Sequence, residues 1–171
     1  MILYVVRHAE AVQGRENLQD EWRHLTEKGR SSAEKMSCRV AKSGPKTRLT
    51  VTSPLTRAVQ TAEIMAVRAC RRNVVVASTL LLPGGDIAEI VEYLKNCGRG
   101  QRVMLVGHEP QLGLLVSALL ERGEGGLPLK KGACVALKLE PLKAGKPAEF
   151  LWYLVPGKKR ITSFKKAFSL K

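Results

Sequence analysis

The sequence has little of what would build a disulfide framework, a zinc site or a membrane anchor. Its four cysteines, at positions 38, 70, 97 and 134, form no CxxC pair and do not cluster with histidines. Reduced, buried thiols in a cytoplasmic protein are therefore expected. No apolar run approaches the roughly 20 residues that span a bilayer. The apolar stretch after Met1 is too short for a signal peptide and lacks its basic start, so no membrane partner is expected.

Acidic residues are also scarce. The chain has 29 Lys and Arg against 15 Asp and Glu, a net charge of +14 and an isoelectric point near 10.0. Residues 127–171 hold 11 of these cations and only two acids. We interpret residues 157–171, GKKRITSFKKAFSLK, as a loose basic tail that aids solubility. The alternative is a binding surface for an acidic partner or a polyanion. No nucleic-acid-binding motif or aromatic platform accompanies the charge, so no nucleic-acid partner is expected.

Short apolar runs alternate with helical periodicity along the chain. Continuous apolar runs are typical of strands covered on both faces, and four strands are predicted, over 2–6, 47–53, 73–78 and 103–107. Four helices are predicted over 25–44, 53–70, 85–98 and 109–123. The predicted N-caps are Thr26, Ser53 (with Pro54 as first helical residue) and Asp86, and the predicted stops are Gly44-Pro45, Gly98 and Gly123.

This alternation predicts an α/β fold. Strands that alternate with helices form crossover units and a mainly parallel sheet. The segments 132–140 and 148–156, separated by the turn-rich PLKAGKP, indicate an antiparallel hairpin added to that sheet. The expected architecture is a single-domain three-layer α/β/α sandwich over residues 1–156, followed by the basic C-terminal tail 157–171. A chain of this length can bury a sizeable core.

Two histidines and two arginines follow the predicted parallel strands. Arg7 and His8 end the first strand, Arg57 lies one turn into the helix after the second, and His108 precedes the last helix. Sites in parallel sheets form outside the carboxyl ends of the strands, so we expect these four side chains to converge. Each of them alone has an ordinary structural explanation, such as a surface cation or a core histidine. The hypothesis of a site rests on the four together.

These residue types together suit phosphoryl transfer. Guanidinium groups grip a phosphoryl group through two parallel hydrogen bonds and stay charged at any working pH. A neutral imidazole can attack phosphorus and become phosphohistidine, and nearby arginines disfavour its protonated form. The second imidazole, His108, can hydrogen-bond the phosphoryl oxygens as charge develops on them. Because the arginines supply the positive charge, neither a metal nor another cofactor is expected.

Four stretches of the sequence closely resemble the histidine phosphatase superfamily: RHAEA, LTEKG, SPLTRAVQTAEI and VGHEPQLG. More narrowly, they resemble its small SixA-type phosphohistidine phosphatases. The likeness runs from Leu3 to about Pro156. It implies the phosphoglycerate mutase-like fold for residues 1–156, as a histidine phosphatase domain.

The resemblance also implies roles for individual residues. By it, His8 is the nucleophile that accepts the phosphoryl group, and Arg7, Arg57 and His108 complete the phosphate pocket. Arg23, in EWRHLTEKG, matches an additional substrate-binding arginine of SixA-type members. An ordinary loop cation explains Arg23 almost equally well.

A proton donor for the leaving group is not evident. No insertion follows the helix at 54–70 to bring one, which leaves Glu10 and Glu109 as candidates. Glu109 lies where a related acid-phosphatase branch places its donor, but an anion at a helix N-terminus explains it equally well. At most a weak acid is therefore expected at Glu109. Cleavage of the P–N bond of phosphohistidine depends less on a general acid than the loss of an alkoxide does. A general acid typically raises the rate of alkoxide loss by about 10²–10⁴-fold.

The sequence thus predicts a metal-independent hydrolase that acts in signal transduction. It would remove phosphate from a phosphorylated histidine of a partner protein, either a histidine phosphotransfer domain or a phosphocarrier. A phosphohistidine enzyme intermediate would form, and inorganic phosphate would be released. Two alternatives stay open: a small-molecule phosphomonoester phosphatase of the same superfamily, and a phosphate- or partner-binding module without turnover.

Overall fold

A computed structural model describes residues 1–14, 16–97, 100–123, 125–140 and 146–168. The strands in these residues are β1 (Ile2–Arg7), β2 (Leu49–Thr52), β3 (Val75–Ala77), β4 (Arg102–Gly107), β5 (Cys134–Lys138) and β6 (Glu149–Leu154). The α-helices are α1 (Glu27–Ser43), α2 (Thr56–Ala69), α3 (Ile87–Asn96), α4 (Gln111–Leu119) and α5 (Phe164–Ala167). Single turns of 3-10 helix cover Asp20–Trp22 and Thr79–Leu81. All the predicted strands are present, and most of the predicted turn between β5 and β6 (141–145) lies outside the described residues.

The strands form one sheet in the order β3-β2-β4-β1-β5-β6. β1 pairs with β4, β4 with β2, and β2 with β3, all in parallel. β5 runs antiparallel to both β1 and β6, so the predicted hairpin extends the sheet beyond β1. The four parallel strands therefore end at one edge of the sheet, which we call the carboxyl edge.

Helices cover both faces of the sheet. Successive side chains of β1 point to opposite faces: Leu3 and Val5 pack with buried residues of α3 and α4, whereas Tyr4 and Val6 pack with buried residues of α1 and α2. Both apolar cores are continuous across the sheet, because neighbouring strands add their own alternating side chains to each. The predicted three-layer α/β/α architecture is confirmed. No helix in the described ranges is long and apolar enough to cross a membrane.

Two of the three predicted N-caps are confirmed. The Thr26 hydroxyl accepts a hydrogen bond from the Gly29 N–H at 2.9 Å, and Asp86 Oδ1 accepts one from the Ala88 N–H at 2.8 Å. Each bond satisfies a backbone donor that has no partner within its helix. α1 also ends at Ser43, directly before the predicted Gly44-Pro45 stop.

The predicted start of α2 at Ser53 and Pro54 is wrong. The helix begins at Thr56, and Leu55 occupies the N-cap position. Ser53 still belongs to the end of β2, because its N–H donates to the Val106 carbonyl at 3.0 Å. Its hydroxyl is hydrogen-bonded to His108 and also accepts from the Leu55 N–H at 3.3 Å, in the turn that leads into the helix.

The predicted end of α4 at Gly123 is also wrong. α4 ends at Leu119, because Glu121 adopts the left-handed conformation with φ of 52°. The Arg122 N–H then donates back to the Ser117 carbonyl at 3.1 Å, a helix-closing bond that glycine more commonly accompanies. The predicted end of α3 at Gly98 lies outside the described residues; α3 itself ends at Asn96.

The basic segment after β6 is packed and not loose. Ile161 bridges to Tyr153 in antiparallel fashion, with N–O distances of 2.8 and 3.0 Å. Phe164 and Phe168 of the α5 region lie with ring centroids 5.8 and 6.1 Å from that of Phe150. The loose tail expected from the charge is therefore wrong for residues 157–168, because aromatic side chains between the lysines cover the sheet. The domain boundary after residue 156 stays a prediction.

The four cysteines are spread over the fold and form no disulfide. Cys70 and Cys134 are buried, and Cys38 and Cys97 are half-buried. Within the part of the chain that the structure describes, no group of three or more His, Cys, Asp or Glu is placed to hold a metal ion.

Candidate active site

The carboxyl edge brings two of the three histidines together. Arg7 is the last residue of β1 and His8 follows it, while His108 follows Gly107, the last residue of β4. Strand pairing continues past the end of β1, because the His8 N–H donates to the Gly107 carbonyl at 3.0 Å. The two imidazole centroids lie 5.0 Å apart with their planes inclined by 55°. The sheet thus holds both rings in fixed positions at its edge.

The backbone sets the tautomer of His8. Its Nδ1 lies 2.7 Å from the Ala9 carbonyl oxygen, which can only accept, so Nδ1 carries the proton. The neutral ring therefore keeps its lone pair on Nε2, the nitrogen that can attack phosphorus. Ala9 is held in turn, because its N–H donates to the Thr61 hydroxyl at 3.1 Å. That hydroxyl donates to the Arg57 carbonyl at 2.7 Å, which links the His8 loop to α2.

Burial keeps both imidazoles neutral. His8 is 8% exposed, and desolvation is the main cause that lowers its pKa to about 4; Arg57 and Arg7 add to this effect, and the bond to Ala9 opposes it. His108 is 3% exposed, and desolvation, followed by His8 and Arg57, lowers its pKa to about 3. The arginines therefore keep the nucleophile neutral, as the sequence indicated, but burial contributes more.

A buried serine orients His108. The Nε2 atom of His108 and the Oγ atom of Ser53 are hydrogen-bonded at 2.9 Å, and both residues are buried. Since Ser53 continues the pairing of β2 with β4, this bond fixes the second imidazole relative to the sheet. A ring held in this way needs little reorganisation to interact with a group bound at His8.

Arg57 and Arg23 meet at a single carboxylate. Arg57 lies in the first turn of α2 and is 5% exposed. Its Nη1 donates to the Asp20 carbonyl at 2.7 Å and its Nη2 to Asp20 Oδ2 at 2.8 Å. Arg23 donates from Nη1 to Asp20 Oδ1 at 2.8 Å and from Nε to the Val12 carbonyl at 2.8 Å. The Arg57 fork is therefore aligned to bind paired oxygens, the arrangement that a phosphoryl group offers.

Asp20 is ionised in this arrangement. Desolvation acts to raise its pKa, but hydrogen bonds from Arg23 and Arg57 outweigh it and hold the pKa below the usual range. The carboxylate is 58% exposed, so water reaches it from the solvent side. An ionised carboxylate cannot give a proton to a leaving group, so Asp20 positions the two arginines and does not act as an acid.

Arg7 has a donor to spare. Its Nη1 donates to the Leu129 carbonyl at 2.8 Å, which fixes the guanidinium beside the strand end. Its Nε is buried and has no hydrogen-bond partner among the residues that the structure describes. A buried charged donor without a partner is costly unless a ligand satisfies it. Together with His8, His108 and Arg57, Arg7 can hold a tetrahedral oxyanion.

Comparisons with known proteins indicate the family to which the chain belongs. The model of the histidine phosphatase superfamily (branch 1) matches residues 3–79. An uncharacterized protein of Picosynechococcus sp. is 32% identical over 141 residues, which cover 81% of this chain and 85% of that protein.

The chain belongs to the histidine phosphatase superfamily.

Solved structures share the fold. The protein histidine phosphatase SixA complexed with tungstate matches with a TM-score of 0.79 at 24% identity, over 91% of this chain and 97% of that one. A proposed α-ribazole-5′-phosphate phosphatase from Escherichia coli K-12 matches with a TM-score of 0.70 at 18% identity, over 95% and 97%. The phosphoglycerate mutase-like fold expected from the resemblance is therefore confirmed. By its family-model match, the protein is a histidine phosphatase superfamily phosphatase.

The predicted site residues lie together in the fold. Arg7, His8, Arg57 and His108 all lie at the carboxyl edge, and Arg23 joins them through Asp20. Their individual roles in binding and catalysis stay predictions.

Glu109 lies against backbone at the start of α4. Burial raises its pKa, while the backbone amides of Leu129 and Gly113 and the charge of Arg7 oppose the rise. Its carboxylate occupies the space over Gly113, where an added Cβ would lie 2.8 Å from Glu109 Oε2. Glycine at this position therefore makes room for the carboxylate. This placement matches the helix N-terminal role that the sequence left open for Glu109.

Glu10, the other candidate acid, is engaged at the start of α1. Its Oε1 accepts a hydrogen bond from the Thr26 hydroxyl at 3.2 Å, and its Oε2 lies 3.5 Å from Lys28 Nζ. These contacts give Glu10 a structural role at a helix N-terminus.

Sequence reasoning missed three residues that organise the site. Asp20 carries no local signal, because an acid in an exposed loop acquires its role only when the fold brings it to Arg57. Ser53 was assigned to a helix cap and instead orients His108. Thr61 lies four residues after Arg57, hence on the same helix face, and this spacing could have identified it.

Proposed function

We propose that the protein is a phosphohistidine phosphatase that removes phosphate from a histidine of a partner protein. The observation that carries this proposal is the state of the nearby carboxylates: Asp20 is held ionised by Arg57 and Arg23, and Glu109 is packed against backbone. A leaving alkoxide requires an acid, whereas a leaving imidazole is activated when its own ring is protonated. The fold shared with SixA, described as a protein histidine phosphatase, supports the same substrate class.

The geometry of the site supports a two-step reaction. The partner's phosphohistidine reacts with its free ring nitrogen protonated. The Nε2 lone pair of His8 attacks phosphorus, the P–N bond to the partner's histidine breaks, and that ring leaves as a neutral imidazole. Arg7 and Arg57 bind the nonbridging oxygens, and His108 stabilises the charge that develops on them. A water molecule then attacks the phosphoenzyme, the bond to His8 Nε2 breaks, and inorganic phosphate is released.

A comparison of substrates tests the proposal. We expect kcat/KM for a phosphohistidine-bearing protein to exceed that for glycerol phosphate and for a sugar phosphate, both of which lose an alkoxide, by about 100-fold or more, the usual contribution of a general acid. Equal or higher efficiency on the phosphomonoesters would contradict the proposed substrate class.

One observation favours a second candidate, a small-molecule phosphomonoester phosphatase. The raised pKa of Glu109 is what a proton donor requires. Our proposal predicts that Glu109→Gln slows phosphohistidine hydrolysis by less than about tenfold, below the usual loss for a general acid. Glu10→Gln, which alters the other helix N-terminal carboxylate, is the matched control. A loss near a thousandfold on a phosphomonoester that the parent hydrolyses well would replace the proposal with this second candidate.

A further inference from the structure

A strongly basic recess of the described surface is a groove between α1 and the turn after β6. This basic groove has a volume of about 490 Å³ and contains the cations Lys35, Arg39, Lys158 and Lys159, with Ser32 and Pro156 among its other lining residues. No Asp or Glu lines it. A recess with charge of one sign concentrates the protein's field and attracts ligands of the opposite sign.

The cations of the basic groove divide into one that builds it and three that are free to bind. Arg39 donates from Nη1 to the Val155 carbonyl at 2.8 Å and from Nη2 to the Lys158 carbonyl, which ties the turn to α1. Lys35, Lys158 and Lys159 are exposed, and none of them pairs with a carboxylate of the described ranges.

The basic groove borders the active site. The Gly132 N–H donates to the His8 carbonyl at 3.1 Å, and a Cβ added to Gly132 would lie 3.4 Å from Pro156 Cγ of the groove, so Gly132 lies close to both. Lys131, next to Gly132, is close enough to help lower the pKa of His8. Lys131 thus adds positive charge near the nucleophile, beside the glycine that approaches the groove.

We propose that the basic groove docks an acidic surface of the protein that carries the phosphohistidine. The inference rests on the proposed function, since a protein that delivers its side chain to His8 must cover the rim around it. A small phosphate ester would be bound by the arginines alone and would not reach Lys158 or Lys159. A nucleic acid would match the charge but offers no phosphohistidine to the adjacent nucleophile. Complementary charge at such a rim accelerates association and selects the partner.

Binding and turnover measured with three proteins test this inference. The probes are an acidic histidine phosphotransfer domain, with and without phosphate on its histidine, and phosphoramidate as a small phosphoryl donor. The groove variant is Lys158→Glu with Lys159→Glu. The control is Lys46→Glu with Arg48→Glu, two exposed residues at the opposite edge of the sheet with the same change of charge. Circular dichroism and thermal melting establish that both variants fold.

We expect the groove variant to bind the acidic domain about tenfold more weakly than the parent, with KM for the phosphorylated domain raised by a similar factor. Phosphoramidate turnover should be equal in all three proteins, and raised salt should weaken binding by the parent more than by the groove variant. Equal binding by the groove variant and the control would overturn the inference. A further probe is duplex DNA. The inference would also be overturned if the groove variant lost binding to this DNA but bound the acidic domain as tightly as the parent does. Failure of the proposed function is distinct: the parent would bind the phosphorylated domain and leave its phosphate in place.

Discussion

At the residue scale, two buried imidazoles make the stability of the fold depend on pH. The pKa of His8 is about 4 and that of His108 about 3 in the folded protein, against an ordinary value of 6.5. As pH falls below 6.5, the unfolded chain takes up protons that the folded chain refuses, so the free energy of unfolding decreases. We expect a loss of about 2 kcal/mol per imidazole between pH 7.5 and 5.

Urea denaturation at pH 7.5 and pH 5 measures this loss. His8→Gln removes one of the two shifted groups, so its free energy of unfolding should change less between the two pH values than that of the parent. Asp20, whose pKa is lowered, affects stability only at more acidic pH. Glu109, whose pKa is raised by burial, opposes the loss as pH falls, so the decisive quantity is the difference between the parent and His8→Gln, which share Glu109. An equal change of the free energy of unfolding in the parent and in His8→Gln would show that His8 is not held neutral by burial.

Arg57 tests the importance of a planar fork. Both of its terminal nitrogens donate to Asp20, at 2.7 and 2.8 Å, and a lysine in its place would keep the charge but lose one of the two aligned donors. We predict that Arg57→Lys lowers kcat/KM by about 10–100-fold, the cost of one charge-assisted hydrogen bond. Arg68→Lys, the same exchange on an exposed position of α2, should have no effect. If both variants were as active as the parent, the proposal that Arg57 binds phosphate through two hydrogen bonds would be wrong.

The sequence predicted the histidines and arginines of the site and missed the residues that position them. Arg7, His8 and His108 could be placed because the carboxyl ends of parallel strands share an edge. Asp20 could not, since its position depends on how the loop before α1 folds over Arg57. The relative weight of burial and arginine charge on the pKa of His8 also required the three-dimensional structure.

At the scale of elements, local signals predicted helix positions well and some helix ends poorly. Thr26 and Asp86 cap their helices as predicted, because side-chain caps act within a few residues. Ser53 does not, because α2 begins only at Thr56 and the Ser53 hydroxyl is shared between His108 and the Leu55 N–H of the preceding turn. The early end of α4 arises from a left-handed Glu121, a conformation that sequence alone rarely indicates for a residue other than glycine or asparagine.

The α5 region contributes to stability despite its charge. The Phe168 ring stacks on Tyr153 with a centroid distance of 5.2 Å and also contacts Phe164 and Phe150. We predict that Phe168→Ala lowers the free energy of unfolding by about 1–3 kcal/mol, because the half-buried ring loses its packing. Lys166→Ala, on the exposed side of α5, should change it by less than about 0.5 kcal/mol. Denaturant unfolding that shows no difference between the two variants would indicate that the segment does not pack in solution.

At the scale of the whole molecule, composition and periodicity predicted the architecture correctly and the C-terminal segment incorrectly. Alternating strands and helices leave few ways to cover a parallel sheet, so the three layers follow from the pattern. The charge of residues 157–168 suggested a loose tail, but the apolar residues Ile161, Phe164 and Phe168 attach it to β6 and its neighbours. Lysines on this segment can thus serve as a fixed surface and not only as solubilising charge.

The central claim is that His8 carries the phosphoryl group between the partner and water. The most direct measurement is rapid quenching of the enzyme mixed with a radiolabelled phosphohistidine protein, followed by mass spectrometry of the labelled peptide. We predict a transient phosphoenzyme with the phosphate on His8, and no label and no turnover in a His8→Ala variant that keeps the parental circular dichroism spectrum. Label on another residue, or parental turnover by His8→Ala, would contradict the account.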